Sequence, residues 1–155
     1  MKILNLQQQV FYKYFMQHIF VYGTLQLPEI VKKLTGKTFN SIPAVLPGFR
    51  CCCIKNRDYP AVTPDDNAET AGLLLEKVDD FSLKIISFFE GDEYQLQKVT
   101  VLINGKSQVV QSFVWAKGLE LLEDREWDFH RFEKESLEHY LNVVIPEFLE
   151  WANRQ

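Results

Sequence analysis

The sequence is short of the residues that make metal sites, disulfide frameworks and membrane spans. Its 155 residues hold only three cysteines and three histidines. The cysteines are consecutive, Cys51-Cys52-Cys53. Neighbours on a strand point to opposite faces, so these three cannot form a disulfide framework. They also lack the paired spacing and nearby histidine of a zinc site. They read as small apolar strand residues in a reducing cytosol, with a reactive thiol as the other reading open. His18, His130 and His139 are scattered without ligand spacing, so no metal is expected. No apolar run is long enough to span a membrane, because Lys13, Gln17, His18 and Gly23 interrupt the aromatic stretch over residues 11–25. No secretory signal is evident, and a soluble cytoplasmic protein is expected. An excess of positive charge is missing too. The net charge is −4, which offers no basic surface to nucleic acid or anionic lipid, so neither is expected as a partner. There are no internal repeats, linkers or low-complexity tracts.

What is present is the composition of one globular domain. Hydrophobic residues make up 46% and aromatic residues 14%, with twelve phenylalanines to fill an interior. Residues 1–17 stand outside the pattern that follows and are read as an N-terminal extension. Ile3, Leu6, Val10 and Tyr14 give it the spacing of a weak amphipathic helix. The domain proper is expected over residues 18–155. It opens with a buried strand over 19–22, stopped by Gly23, and a helix begun by Pro28 and closed by Gly36. Residues 39–46 read as extended, Pro47-Gly48 as a turn, and 49–54 as the next strand. Loops are expected at 57–60 and 64–67, then a strand over 70–78. Asp79 should cap a helix whose apolar face uses Phe81, Ile85, Phe88 and Phe89, ending at Glu90-Gly91. Residues 94–103 and 108–115 form a hairpin across Asn104-Gly105. Asp128 should cap a last helix whose apolar face holds Phe129, Phe132, Leu137, Tyr140, Leu141 and Val144, and Pro146 should kink or end it. The order is not a regular βαβ alternation. It predicts an α+β fold, a small closed or half-closed mixed-sheet β-barrel with flanking helices.

Two segments carry chemistry. In Tyr22-Gly23-Thr24-Leu25 a glycine follows a strand, so the backbone can turn tightly and approach a ligand. The N–H groups of Gly23, Thr24 and Leu25 then form an anion cradle, or the segment is an ordinary strand-to-helix turn. In Phe88-Phe89-Glu90-Gly91 a carboxylate sits at a helix C-terminus beside apolar neighbours. The negative end of the helix dipole and desolvation both disfavour its ionised form and raise its pKa toward that of a general base. The other placement is a glutamate turned out to solvent. Asp92 and Glu93 follow at once; a paired-carboxylate system with Glu90 is one reading, and a solvated turn is the expected use of both.

With these residues in hand, the chain resembles the AIG2-like branch of the γ-glutamylcyclotransferase family. The resemblance rests on Val21-Tyr22-Gly23-Thr24-Leu25, Leu46-Pro47-Gly48-Phe49, Arg57-Asp58-Tyr59-Pro60-Ala61, Gly72-Leu73-Leu74-Leu75, Phe89-Glu90-Gly91-Asp92-Glu93-Tyr94, Val114-Trp115 and Glu126-Trp127-Asp128-Phe129. These occur in the family's order over about residues 18–137. The resemblance implies a small mixed-sheet barrel and an intramolecular reaction without metal or organic cofactor. In that reaction the α-amine of a γ-glutamyl compound attacks its own γ-carbonyl, releasing 5-oxoproline and a free amine. Tyr22, Gly23, Thr24 and Leu25 would hold the substrate's α-carboxylate, and Glu90 would be the catalytic acid and base. Arg57 and Tyr59 would line the pocket mouth, and either the Gly23 turn or the Tyr94 hydroxyl would donate to the oxyanion. Two other readings stand beside this one. The first is a non-catalytic module binding a small acidic metabolite in the same pocket. The second is a protein-interaction role for the C-terminal helix through Trp151. The leaving amine and the oligomeric state are not fixed by the sequence.

Overall fold

The computed structural model describes residues 5–7 and 16–155. Most of the residues expected to form the N-terminal helix lie outside these. Six strands follow in chain order: β1 Met16–Val21, β2 Ser41–Ile54, β3 Pro60–Asp79, β4 Tyr94–Ile103, β5 Lys106–Trp115 and β6 Leu122–Glu126. The helices are α1 Pro28–Thr35, α2 Asp80–Glu90, α3 Phe129–Glu135, α4 Leu137–His139 and α5 Ile145–Asn153. A π-helical turn, Tyr140–Val144, joins α4 to α5. Among the described residues no helix is long and apolar enough to cross a membrane.

The strands form one sheet in the order β3-β1-β5-β4-β2-β6, and β3 also pairs with β2. That second pairing makes the sheet ring-like, with β6 attached outside the ring on β2. Only the β1–β5 contact is parallel; the others are antiparallel. This is a mixed α+β fold of the kind the element order predicts. Alternation along β1 explains how one strand serves two interiors. Ile19 and Val21 face the layer between the sheet and the helices, with Ile30, Leu83, Ile86 and Ile145. Phe20 and Tyr22 face the inside of the ring with Leu46, Val62, Leu74 and Val101. The buried Ser112 hydroxyl donates to the Phe20 carbonyl at 2.8 Å and ties the parallel seam.

Local signals are largely realised. The Asp79 carboxylate accepts from the Ser82 N–H at 3.1 Å, and that of Asp128 from the Arg131 N–H at 3.1 Å. Asn104 and Gly105 both have positive φ, 50° and 77°, as the tight hairpin requires. All three cysteines are free and lie within β2. Burial, then the neighbouring Cys52 and Cys53, push the Cys51 thiol up to about 12, which makes it a poor nucleophile.

Four expectations are corrected. Pro47-Gly48 does not separate two strands; β2 runs through it with a register shift. Pro47 pairs with Glu69 and Phe49 with Pro64, so residues 65–68 of β3 stand opposite Gly48 alone. The loop expected at 64–67 is therefore an irregularity inside β3, closed by the Asn67 N–H donating to the Asp65 carboxylate at 3.0 Å. In α2 the buried arc is Ser82, Leu83 and Ile86, and Phe81 and Phe88 are 64% and 51% exposed. Positions seven apart share a face, so both phenylalanines fall together on the outer flank. Strand β6, Leu-Glu-Asp-Arg-Glu, lacks apolar alternation because it is an edge strand rich in charge. Pro146 does not end the last helix. The π-helical turn precedes it, and α5 continues to Asn153.

The ring depends on a close approach of β1 to β3. A Cβ on Gly72 would lie 2.3 Å from the Val21 carbonyl oxygen and 2.7 Å from the Phe20 ring. Gly72→Ala is therefore expected to lower unfolding free energy by about 2–3 kcal/mol, read from urea denaturation, because a backbone atom cannot yield as a side chain does.

Candidate active site

A cavity of ≈ 180 Å³ opens where β1 ends, between the ring and the helices. Its lining includes Tyr22, Gly23, Thr24 and Leu25 from the segment after β1, Tyr59 and Pro60 at the start of β3, and Glu90, Glu93 and Tyr94 after α2. Tyr140 and Val144, the first and last residues of the π-helical turn, complete it. The fold thus brings together every site residue read from the sequence except Arg57, which is exposed and does not line the cavity.

The turn after β1 is a single 3-10 turn, Thr24–Gln26, with Gly23 before it. The Gln26 N–H donates to the Gly23 carbonyl at 3.1 Å. The N–H groups of Gly23, Thr24 and Leu25 precede the first bond of the turn and have no acceptor within it. The Gln26 side chain braces the turn from behind, donating to the Tyr22 carbonyl at 2.8 Å. Glycine is needed here for space. A Cβ on Gly23 would come within 2.8 Å of Cγ of Pro60.

Glu90 is the last residue of α2, and the Gly91 N–H closes that helix on the Ser87 carbonyl. Burial of the carboxyl, then the negative charge of Glu93, push its pKa up to about 8. Phe89 lines the cavity beside it and stacks edge-on against Phe148 at 5.2 Å. Phe88, expected to desolvate Glu90 as well, faces outward. Asp92 also faces outward, toward Lys117 at 3.5 Å, whereas Glu93 turns in, contrary to its expected solvated placement.

Four tyrosines line the cavity, and each hydroxyl proton is given to a protein acceptor. Tyr22 donates to the Phe113 carbonyl, Tyr59 to Glu93 at 2.7 Å, Tyr94 to the Pro60 carbonyl at 2.6 Å and Tyr140 to Asp58 at 2.8 Å. Burial is the first cause raising the pKa of all four, so they stay neutral. The Tyr94 hydroxyl is therefore committed to structure. No Lys, Arg or His is among the lining residues. Asp58 and Tyr140 were not legible as site residues. Asp58 anchors the wall twice, its carbonyl accepting from the Trp127 indole at 2.8 Å and its carboxylate from Tyr140.

Glu90 makes stability depend on pH in a known direction. Its folded pKa of about 8 lies above its ordinary value of 4.5, so the folded state holds this proton more tightly than the unfolded chain. The stability it contributes is full below pH 4.5 and is lost as pH rises to about 8. Glu90→Gln is thus expected to match the parent near pH 4.5 and to exceed it at about pH 8.5 by up to about 5 kcal/mol, checked by thermal melts across pH.

Residues 19–129 match the family described as gamma-glutamyl cyclotransferase, AIG2-like. The chain is 33% identical over 134 residues to AIG2-like protein C of Arabidopsis thaliana, covering 85% of this chain and 77% of that protein. It is 31% identical over 141 residues to AIG2-like protein D of the same plant, covering 89% and 92%. A solution structure of an Arabidopsis thaliana protein superposes with a TM-score of 0.65 at 25% identity, covering 83% of this chain and 88% of that one. A structure named gamma-glutamyl cyclotransferase shares the fold, with a TM-score of 0.56 at 16% identity over 69% of this chain and 68% of that one. The family match over most of the chain and the relatives at 33% and 31% identity show that the chain belongs to the AIG2-like γ-glutamyl cyclotransferase family.

Proposed function

We propose that the protein is an active γ-glutamyl cyclotransferase, converting a small γ-glutamyl amine or γ-glutamyl amino acid to 5-oxoproline and a free amine. The observation that carries this reading is one small cavity lined both by the Gly23 turn, whose first N–H groups have no acceptor within the turn, and by a carboxyl of raised pKa, with no Lys, Arg or His among its described lining residues. At ≈ 180 Å³ it is below the size of pockets for drug-like ligands, about 300 Å³ or more, and suits the glutamyl end of a substrate.

In this mechanism the α-carboxylate rests on the N–H groups of Gly23, Thr24 and Leu25, with Tyr22 setting the start of the turn. The α-ammonium then points to Glu90. Glu90 as carboxylate takes one ammonium proton, and the freed amine nitrogen bonds to the γ-carbonyl carbon. Collapse of the tetrahedral intermediate breaks the bond to the leaving nitrogen, which receives the proton that Glu90 took; the regenerated carboxylate then takes the second proton from the ring nitrogen and passes it to the departing amine, which leaves as an ammonium. Nucleophile and electrophile belong to one bound molecule, so holding it folded supplies much of the rate. Since the four phenol protons are committed elsewhere, none of the tyrosines is the oxyanion donor in this mechanism. Tyr94 and Tyr59 shape the walls, and Arg57 lies outside, where the leaving amine departs.

The test is incubation with a panel of γ-glutamyl amines and amino acids, following 5-oxoproline by mass spectrometry. The parent is expected to release it, and Glu90→Gln to do so about 100-fold more slowly or less. Equal release by both would remove Glu90 from the mechanism. Saturable binding without release across the panel would make the protein a binding module instead.

A further inference from the structure

Glu90 and Glu93 are three residues apart across the 3-10 turn Gly91–Glu93. Side chains at that spacing in such a turn eclipse one another, and both line the cavity. The two carboxyls share one small space with no Lys, Arg or His among its described lining residues, so ionising Glu90 beside an ionised Glu93 is unfavourable. What holds Glu93 is a chain of two hydrogen bonds. The Tyr59 hydroxyl donates to Oε1 of Glu93 at 2.7 Å, and its oxygen accepts from Nε of Arg57 at 2.9 Å. The guanidinium therefore supports the Glu93 anion through a phenol while remaining outside in solvent. No comparable bond supports Glu90 among the described residues.

We propose that Arg57, Tyr59 and Glu93 form a positioning unit that fixes a negative charge one turn from Glu90 and so governs when Glu90 gives up its proton. This rests on reading Glu90 as the proton carrier of a cyclotransferase. The other titratable groups facing the cavity are Tyr22 after β1, Tyr59 before β3, Tyr94 on β4 and Tyr140 on the π-helical turn. All four are neutral phenols, so among the described lining residues Glu93 is the one charged neighbour. With Glu93 ionised, Glu90 keeps its proton in the empty cavity. An arriving α-ammonium supplies the positive charge that the walls lack. Glu90 then releases its proton to solvent and becomes the base beside the group it must deprotonate. The anion of Glu93 thus ties the reactive form of Glu90 to the presence of a cation.

The experiment reads Glu90 directly in the unliganded full chain. The side-chain carboxyl signal of ¹³C-labelled glutamate is followed by NMR from about pH 4 to about pH 10. It is assigned by its loss in Glu90→Gln. The parent midpoint is expected near 8, pushed there partly by Glu93. Glu93→Gln is expected to lower it by about one pH unit or more, and Tyr59→Phe by a smaller step in the same direction. The backbone spectrum should be otherwise retained in both. An unchanged midpoint in folded Glu93→Gln overturns the proposal; if that variant does not fold, an unchanged midpoint in Tyr59→Phe does so. The reading needs no turnover. A shifted midpoint in a protein that releases no 5-oxoproline leaves this inference standing and removes the cyclotransferase reading alone. Where turnover is found, the acid limb of the kcat/KM profile should move with the midpoint, a displacement that a purely structural role would not produce.

Discussion

The packing of Pro60 against Gly23 is the contact on which the cavity depends. It joins the turn after β1 to the first residue of β3 at a distance that only a missing side chain permits. Three walls are fixed by it at once. The carbonyl of Pro60 receives the Tyr94 hydroxyl, which places the start of β4. The residue before Pro60 is Tyr59, which holds Glu93. The residue before that is Asp58, whose two acceptors hold Trp127 and Tyr140. Three consecutive residues, Asp58, Tyr59 and Pro60, thus hold the turn after β1, the start of β4, Glu93 and Tyr140. Loops carry function when a rigid scaffold positions them, and here the ring-like sheet is that scaffold.

The electrostatics follow from the same economy of partners. Four phenols turn their protons into the protein and present only rings and oxygen lone pairs to the cavity. What remains for a ligand is a set of backbone N–H groups at one end and a carboxyl of raised pKa at the other. A zwitterion with its anion and its ammonium on neighbouring atoms matches that polarity, whereas a simple dianion would meet repulsion from Glu90 and Glu93. In the proposed function the cavity would thus select for charge arrangement before any side chain of a leaving group is considered.

Much of this was legible in residues and some was not, for physical reasons. Glu90 could be read because three local features coincide in adjacent residues: an apolar run, a helix end and a glycine stop. Gly23 could be read as a turn, but its need for space depends on Pro60, which local pattern does not bring near. Glu93 looked like a solvated turn residue since its partner, Tyr59, is 34 positions away and acidic turns ordinarily face water. Tyr140 was read as part of an apolar helix face, which it is; its hydroxyl contact to Asp58 spans 82 positions and leaves no local trace. Strands β2 and β3 were divided at Pro and Asp-Asn signals that the sheet absorbs as irregularities. Tertiary pairing outweighed turn preference at both places.

The π-helical turn has a consequence of phase. An α-helix advances about 100° per residue, so a turn widened by one residue rotates everything beyond it by roughly that angle relative to everything before. Tyr140 lies before that rotation and Phe148 after it. Tyr140 faces the cavity wall, and Phe148 meets Phe89, the neighbour of Glu90, edge-on. In an unbroken α-helix the two could not both hold these directions. The extra residue acts as a rotary offset, letting one C-terminal segment close the cavity with its first part and brace α2 with its second.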